Sequence, residues 1–213
     1  MLVLSGLLLA WLIVRTPVAP PVVEDTSVAT ITPDLTGRAI YTNGTYGLVV
    51  SYPETAQVEE EFFTTYHLTN SWRVNAETEG DPIVVIRAYS TESDHSYPRY
   101  YHAVVRIGAS TDPKEMANCE RATPDRGETA LPDATFNGTT WKVFSFEQGG
   151  MQQYVRGVSY RVIQEDACIA VEKIAAGSSY RDDPESPEDV PDTLLEERYQ
   201  GLNSIVESVM FAR

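Results

Sequence analysis

The chain has 213 residues, enough for one well-buried domain with flanking segments and short for two. Its 42% hydrophobic content is that of a globular protein, which excludes disorder throughout. Lys+Arg 16 against Asp+Glu 31 gives a net charge of −15, and so acidic an envelope repels phosphate backbones and excludes nucleic-acid binding.

Residues 1–14, MLVLSGLLLAWLIV, form an apolar run closed by Arg15. As a helix the run spans about 21 Å, short of the roughly 30 Å hydrocarbon core of a bilayer. It has no polar face, so residues 1–15 read as a signal peptide or a membrane anchor rather than an amphipathic helix. No basic residue precedes the run, and Pro20 follows Ala19, the best small-residue cleavage site, which puts an uncleaved anchor ahead of cleavage. Residues 16–37, rich in Thr, Pro and Val, read as an extended spacer, and 38–213 as a single domain. The expected location is extracytoplasmic, anchored to the cytoplasmic membrane by the N-terminal segment alone, or secreted if that segment is cleaved. A monomer is expected, with an envelope protein or ligand as its partner.

The domain opens with a hairpin signal, Asn43-Gly44 between Ile40-Tyr41 and Tyr46–Val50. Asn43-Gly-Thr45 and Asn137-Gly-Thr139 also match the N-glycosylation pattern, but each reads better as an Asn-Gly turn with a β-branched residue starting the next strand. The acidic run Glu59–Glu61 precedes FFTTYHLTNSW, which reads either as a short strand or as an irregular segment. Strands are predicted at 83–89 and 101–107. PKEMANC predicts a short helix with Pro113 at its first position and Asp112 or Thr111 as the cap. ERATPDRGETALPD reads as a polar connection to a β-meander over 134–176, with reversals at Asn137-Gly138, Gly149-Gly150 and Gln164-Glu165-Asp166. Within the meander, Trp141, Val143 and Ser145 share one face; Lys142, Phe144 and Phe146 share the other, so the sheet is expected to be covered on both sides. A terminal helix is predicted from about Thr193 to Met210, with capping-box spacing between Thr193 and Glu196 and an apolar stripe from Leu195 to Val209. Gly201 inside it reads as a packing contact. The fold class is therefore α+β: a central antiparallel sheet flanked by helices, with a C-terminal helix packed on it.

Familiar catalytic signatures are missing: GxSxG, SxxK, HExxH and both phosphate-cradle patterns are absent. In an exported protein Cys119 and Cys168 read as a structural disulfide, which would close a loop of 49 residues and stabilise the fold by about 4 kcal/mol. The alternative is a reactive cysteine partnered by His67, His95 or His102. The acidic loop 181–192, with Asp182, Asp183, Glu185, Glu188, Asp189 and Asp192, is broken by three prolines and reads as solvated rather than as a calcium site. No cofactor or metal is expected. Trp72, Tyr97, Arg99, Tyr100 and Tyr101 are the candidate lining of a ligand or peptide surface, with core packing as the competing reading.

Two patterns at the ends of the domain, TYGLVVSYP at 45–53 and LNSIVESVMF at 202–211, resemble the opening strand and closing helix of PsbP/Mog1-like α/β domains. A similar order occurs in anchored, uncharacterised exported bacterial proteins. The resemblance covers residues 38–213 and implies a central antiparallel sheet flanked by helices. Members of that family range from photosystem accessory proteins to a nuclear-transport factor, and no shared catalytic residue carries over to this chain. The function it implies is that of a non-enzymatic, envelope-associated accessory or binding protein. A small exported hydrolase using carboxylates or a Cys/His pair is the alternative. The 181–192 loop and the disulfide are not defining features of the family.

Overall fold

Seven antiparallel strands in the order β3-β4-β5-β9-β8-β7-β6 make the main sheet, and three more, β1-β2-β10, make a small second one. The computed structural model describes residues 37–64, 68–91, 100–178 and 190–212. The strands are β1 (Arg38–Asn43), β2 (Leu48–Pro53), β3 (Gln57–Glu59), β4 (Asp81–Ser90), β5 (Tyr101–Ser110), β6 (Glu128–Phe136), β7 (Thr139–Gly150), β8 (Gln153–Gln164), β9 (Ala167–Ser178) and β10 (Met210–Phe211). The helices are α1 (Pro113–Asn118), α2 (Asp192–Gly201) and α3 (Asn203–Val206), with a 3-10 turn at Pro124–Arg126. An α+β class fits, but the chain is richer in sheet than a helix-flanked sandwich, because one face of the main sheet is covered mainly by irregular chain.

Turn chemistry fixes the meander. At Asn137-Gly138 both residues have positive φ, 50° and 77°, the requirement of a type I′ turn between Phe136 and Thr139. The next reversal falls at Met151-Gln152, φ 49° and 64°, two residues beyond the glycine pair, which lies inside β7. Glu165 (φ 53°) turns the third hairpin. The Asn43-Gly44 hairpin forms, but its loop runs over residues 44–47; Asn43 Oδ1 accepts from the Tyr46 N–H at 3.1 Å, and the positive φ belongs to Gly47. The connection before the meander is itself partly a strand: β6 begins at Glu128, with a register shift between Leu131 and Ala134 that spans Pro132.

The odd-numbered residues of β5 and β9 point to one face, where Ala103, Val105, Ile107, Ile169 and Val171 join Leu48, Val50, Leu202, Ile205, Val206 and Val209 in one cluster. Each fully buried aliphatic side chain there is worth about 1.5–3 kcal/mol. Trp141, packed between Phe136 and Phe211 with ring centroids at 5.0 and 5.8 Å, closes the end of this core.

The terminal helix is shorter than its apolar stripe suggests. Pro191 sits at the N-cap position without a side-chain cap bond, so the Thr193/Glu196 box is not used. The helix is interrupted at Leu202, and Met210 and Phe211 leave it to pair with β2. Gly201 is exposed, and a Cβ added there would meet nothing within 4 Å, so it is a break point and not a packing contact.

Candidate functional site

The other face of the main sheet carries a buried charge in the middle of each of several apolar strands: Arg106 on β5, Arg161 on β8, Glu172 on β9 and, on the edge, Glu128 on β6. Glu115 joins them from α1, which Asp112 starts by accepting from the N–H groups of Lys114 and Glu115, as the cap position demands. Charges are rarely buried unless paired and hydrogen-bonded. Here Arg161 pairs with Glu128, and the others reach residues 68–80, a strap that crosses the face without helix or strand of its own.

A strap of this kind has backbone groups that no ladder satisfies, and the buried charges supply their partners. Glu172 accepts the Val74 N–H at 2.8 Å. Glu115 accepts the N–H groups of Glu77 and Thr78 at 2.5 and 2.8 Å through one oxygen, and holds the Arg73 guanidinium at 2.7 Å through the other. Arg106 donates to the Ser71 carbonyl and lies over the Phe62 ring at 4.1 Å. Arg126 donates to the Ala76 carbonyl at 2.8 Å, and Ser110 to that of Glu79 at 2.7 Å. Glu128 is the hub between strap and sheet: it bonds Arg161, lies 3.6 Å from Arg73, and accepts from Asn75 and the Thr123 N–H.

Electrostatics follow the geometry. Burial alone would raise the Glu128 carboxyl, but Arg161, the Thr123 N–H and Arg73 together pull it below the usual carboxylate range. Burial raises Glu172 in spite of Arg106, and lowers Arg106 to about 10. Glu172 Oε1 and two of the Arg106 nitrogens have no partner among the described residues, a real desolvation cost of this arrangement.

Glycine makes the close approach feasible. A Cβ on Gly108 would stand 2.0 Å from the Trp72 carbonyl oxygen, so only glycine lets the strap lie directly on β5. Beneath it, Trp72 packs on the Cys119–Cys168 disulfide, whose sulfurs are 2.04 Å apart and fully buried. Both cysteines are consumed, which closes the Cys/His reading of the sequence. A buried structural disulfide fits an oxidising, extracytoplasmic compartment.

Of the five aromatic and arginine candidates, the described ones, Trp72, Tyr100 and Tyr101, do not share one surface. Trp72 is 1% exposed under the strap; Tyr101 is 2% exposed on the opposite, apolar face, its hydroxyl donating to the Leu195 carbonyl at 3.1 Å. Burial raises the Tyr101 hydroxyl pKa further than any neighbouring charge does. Tyr100 is half-buried, edge-on to His102 at 4.3 Å. Tyr97, Arg99, His67 and His95 lie outside the described residues, as do 1–36 and all of the acidic loop up to Asp189. His102 is buried, and burial with the nearby Arg87 lowers its pKa to about 4, so it is neutral at physiological pH.

What the strap leaves open is a cleft of about 600 Å³ between its own Thr69, Ser71 and Asn75, the 3-10 turn at Asp125-Arg126, and Gln148 at the end of β7. Arg73 forms its floor. Asn75, with φ 65°, bridges the cleft wall: its amide donates to Glu128 and its carbonyl accepts from Gln148 at 2.5 Å. A second groove, about 710 Å³, runs between the β7–β8 hairpin and α2 and is lined by Tyr154, Arg156, Leu195 and Glu196. Among the described residues no three His, Cys, Asp or Glu side chains are grouped to hold a metal ion, and no helix is long and apolar enough to cross a membrane.

No family model and no curated protein matches the chain. Among solved structures it is similar to the solution structure of cyanobacterial PsbP (CyanoP) from Synechocystis sp. PCC 6803, at 9% identity and a TM-score of 0.40, over 84% of this chain and 95% of that one. That protein is a PsbP, the family that the motifs at 45–53 and 202–211 resemble. A likeness at this distance says nothing about function.

Proposed function

We propose that the chain is a non-catalytic binding or accessory domain of the cell envelope, held to the membrane by residues 1–15 and their spacer, and that the cleft beside the strap receives its partner. One observation carries this reading. The buried groups that acid–base chemistry would need are engaged in holding the strap. Glu115, Glu128 and Glu172 are 1–3% exposed, with backbone N–H groups and arginines on their oxygens, and His102 is buried and neutral. A general acid or base must reach substrate and exchange a proton with it; these groups do neither.

The cleft wall offers a different set. Arg126 uses one guanidinium nitrogen on the strap carbonyls and keeps further donors; Ser71, Asp125 and Glu147 add a hydroxyl and two carboxylates. Donors and acceptors of both signs without an aromatic platform suit a polar, peptide-like segment better than a lipid or an aromatic ligand. The test is photo-crosslinking from position 71 in an envelope preparation, with the cleft filled in parallel by Arg126→Trp. Crosslinks that disappear in the filled variant support the reading. Crosslinks unchanged by it, or hydrolysis of ester, glycoside or peptide substrates that is lost in Asp125→Asn, would overturn it.

A further inference from the structure

The two Asn-Gly-Thr sequences are the same in composition and opposite in setting. Asn137 occupies a tight two-residue turn, and its Nδ2 donates to the Glu207 and Val209 carbonyls at 2.8 and 2.9 Å. Those acceptors belong to the C-terminal segment, which is itself fixed: Ser208 exchanges hydrogen bonds with the backbone of Ser51, and the Ala212 N–H donates to the Gly47 carbonyl. Asn43, by contrast, begins a four-residue loop, and among the described residues its side chain meets only its own hairpin: Oδ1 accepts the Tyr46 N–H at 3.1 Å, and the Tyr41 hydroxyl lies near. Gly44 beside it is exposed, its N–H has no backbone acceptor among the described residues, and a Cβ added there would meet nothing within 4 Å.

We propose that Asn43-Gly44 is a site of spontaneous deamidation in this protein, and that the fold protects Asn137-Gly138 from the same reaction. The Gly44 backbone nitrogen attacks Asn43 Cγ; the new N–C bond forms as the Cγ–Nδ2 bond breaks, and Nδ2 leaves as ammonia with the Gly44 proton. Water then opens the cyclic imide at either carbonyl, giving an aspartyl or an isoaspartyl linkage. No reagent other than water is needed. At Asn137 the departing amide is held by two carbonyls of a distant segment, so Cγ is not free to swing onto the Gly138 nitrogen.

Conversion has a structural consequence. A carboxylate appears in a hairpin whose Tyr41 and Tyr46 hydroxyls already contact Glu60 and Asp81. An isoaspartyl linkage also routes the main chain through Cβ and turns the acceptor of the Tyr46 N–H into a main-chain carbonyl, loosening the β1–β2 hairpin where it meets β4. The experiment incubates the full chain in warm, mildly alkaline buffer and follows both sites by peptide mapping, with isoaspartate detected by methyltransferase labelling. Conversion at position 43 at least about tenfold faster than at 137 is expected, the factor for about one net hydrogen bond more on the departing amide of Asn137, and denaturant should bring both sites to one rate. Equal rates in the native protein, faster conversion at 137, or no conversion at either site would overturn the proposal.

Discussion

On one face of the seven-stranded sheet, Leu202, Ile205 and Val209 lie against Val105, Ile107 and Val171, and the covering elements bring their own hydrogen-bonded backbone. On the other, residues 68–80 bring little beyond the Ala76 N–H donating to the Arg73 carbonyl at 3.4 Å, and Glu172, Glu115 and Arg106 serve as their hydrogen-bond partners. The apolar face gains from area and tolerates small changes of volume by repacking. The charged face gains from direction: each group has a few specific partners, and removing it leaves a buried charge or amide unpaired. A fold can thus hold an irregular segment as firmly as a helix, at the expense of a sheet face that is intolerant of substitution. That trade leaves a polar cleft beside the strap, which a regular covering helix would fill.

The comparison is broken most forcefully at Glu115. Glu115→Ala should lower unfolding stability by about 3–5 kcal/mol in denaturant titration, because it strands Arg73 and the N–H groups of Glu77 and Thr78. Leu202→Ala on the apolar face should lose a comparable amount by opening a cavity. The two differ in rescue: Glu115→Gln keeps acceptors for the strap amides and should recover part of the loss, whereas Leu202→Met should be nearly neutral.

A smaller effect is set by pH. The His102 pKa of about 4 lies below its ordinary 6.5, so the unfolded chain takes up the proton first. The stability linked to His102 is fully present above pH 6.5, falls as pH drops from 6.5 to 4, and amounts to up to about 3 kcal/mol. Denaturation midpoints measured across that window should lose most of this slope in His102→Asn.

The smallest expected change is steric. Gly108→Ala drives a methyl group toward the Trp72 carbonyl and should cost about 1–3 kcal/mol, read as a lower melting temperature. Gly201→Ala, where the added carbon meets nothing, should be neutral or slightly stabilising.

The sequence made the Asn-Gly turns, the disulfide and the two-sided meander legible, and narrowed the α1 cap to Asp112 or Thr111, because each depends on a local pattern or on compartment. It did not make the strap legible, since an irregular segment has no periodicity to detect. The charged face left a signal that was open to reading. Arg87, Arg106, Arg161 and Glu172 each interrupt an otherwise apolar strand at its middle, in VVIRAYS, AVVRIGA, VSYRVI and IAVEKIA. A charge in such a run must find a partner: Arg106 and Glu172 find theirs at Ser71 and Val74 in the strap, Arg161 at Glu128 and Arg87 at Glu59. Two members of the expected aromatic surface, Tyr101 and Trp72, are instead buried on opposite faces of the sheet. Aromatic residues clustered in sequence pointed to one lining, but strand alternation sends Tyr101 to the apolar core, and Trp72 lies beneath the strap on the opposite face.

Amide hydrogen exchange tests most directly whether buried charges hold the strap. Val74, Glu77 and Thr78 lie outside every helix and strand, yet their amides should exchange in the folded protein nearly as slowly as those of Val104 and Val171. In Glu115→Gln, Glu77 and Thr78 should speed up while Val104 and Val171 stay slow. Fast exchange of the three strap amides in the unmodified chain would contradict the assignment of Glu115 and Glu172 as their partners.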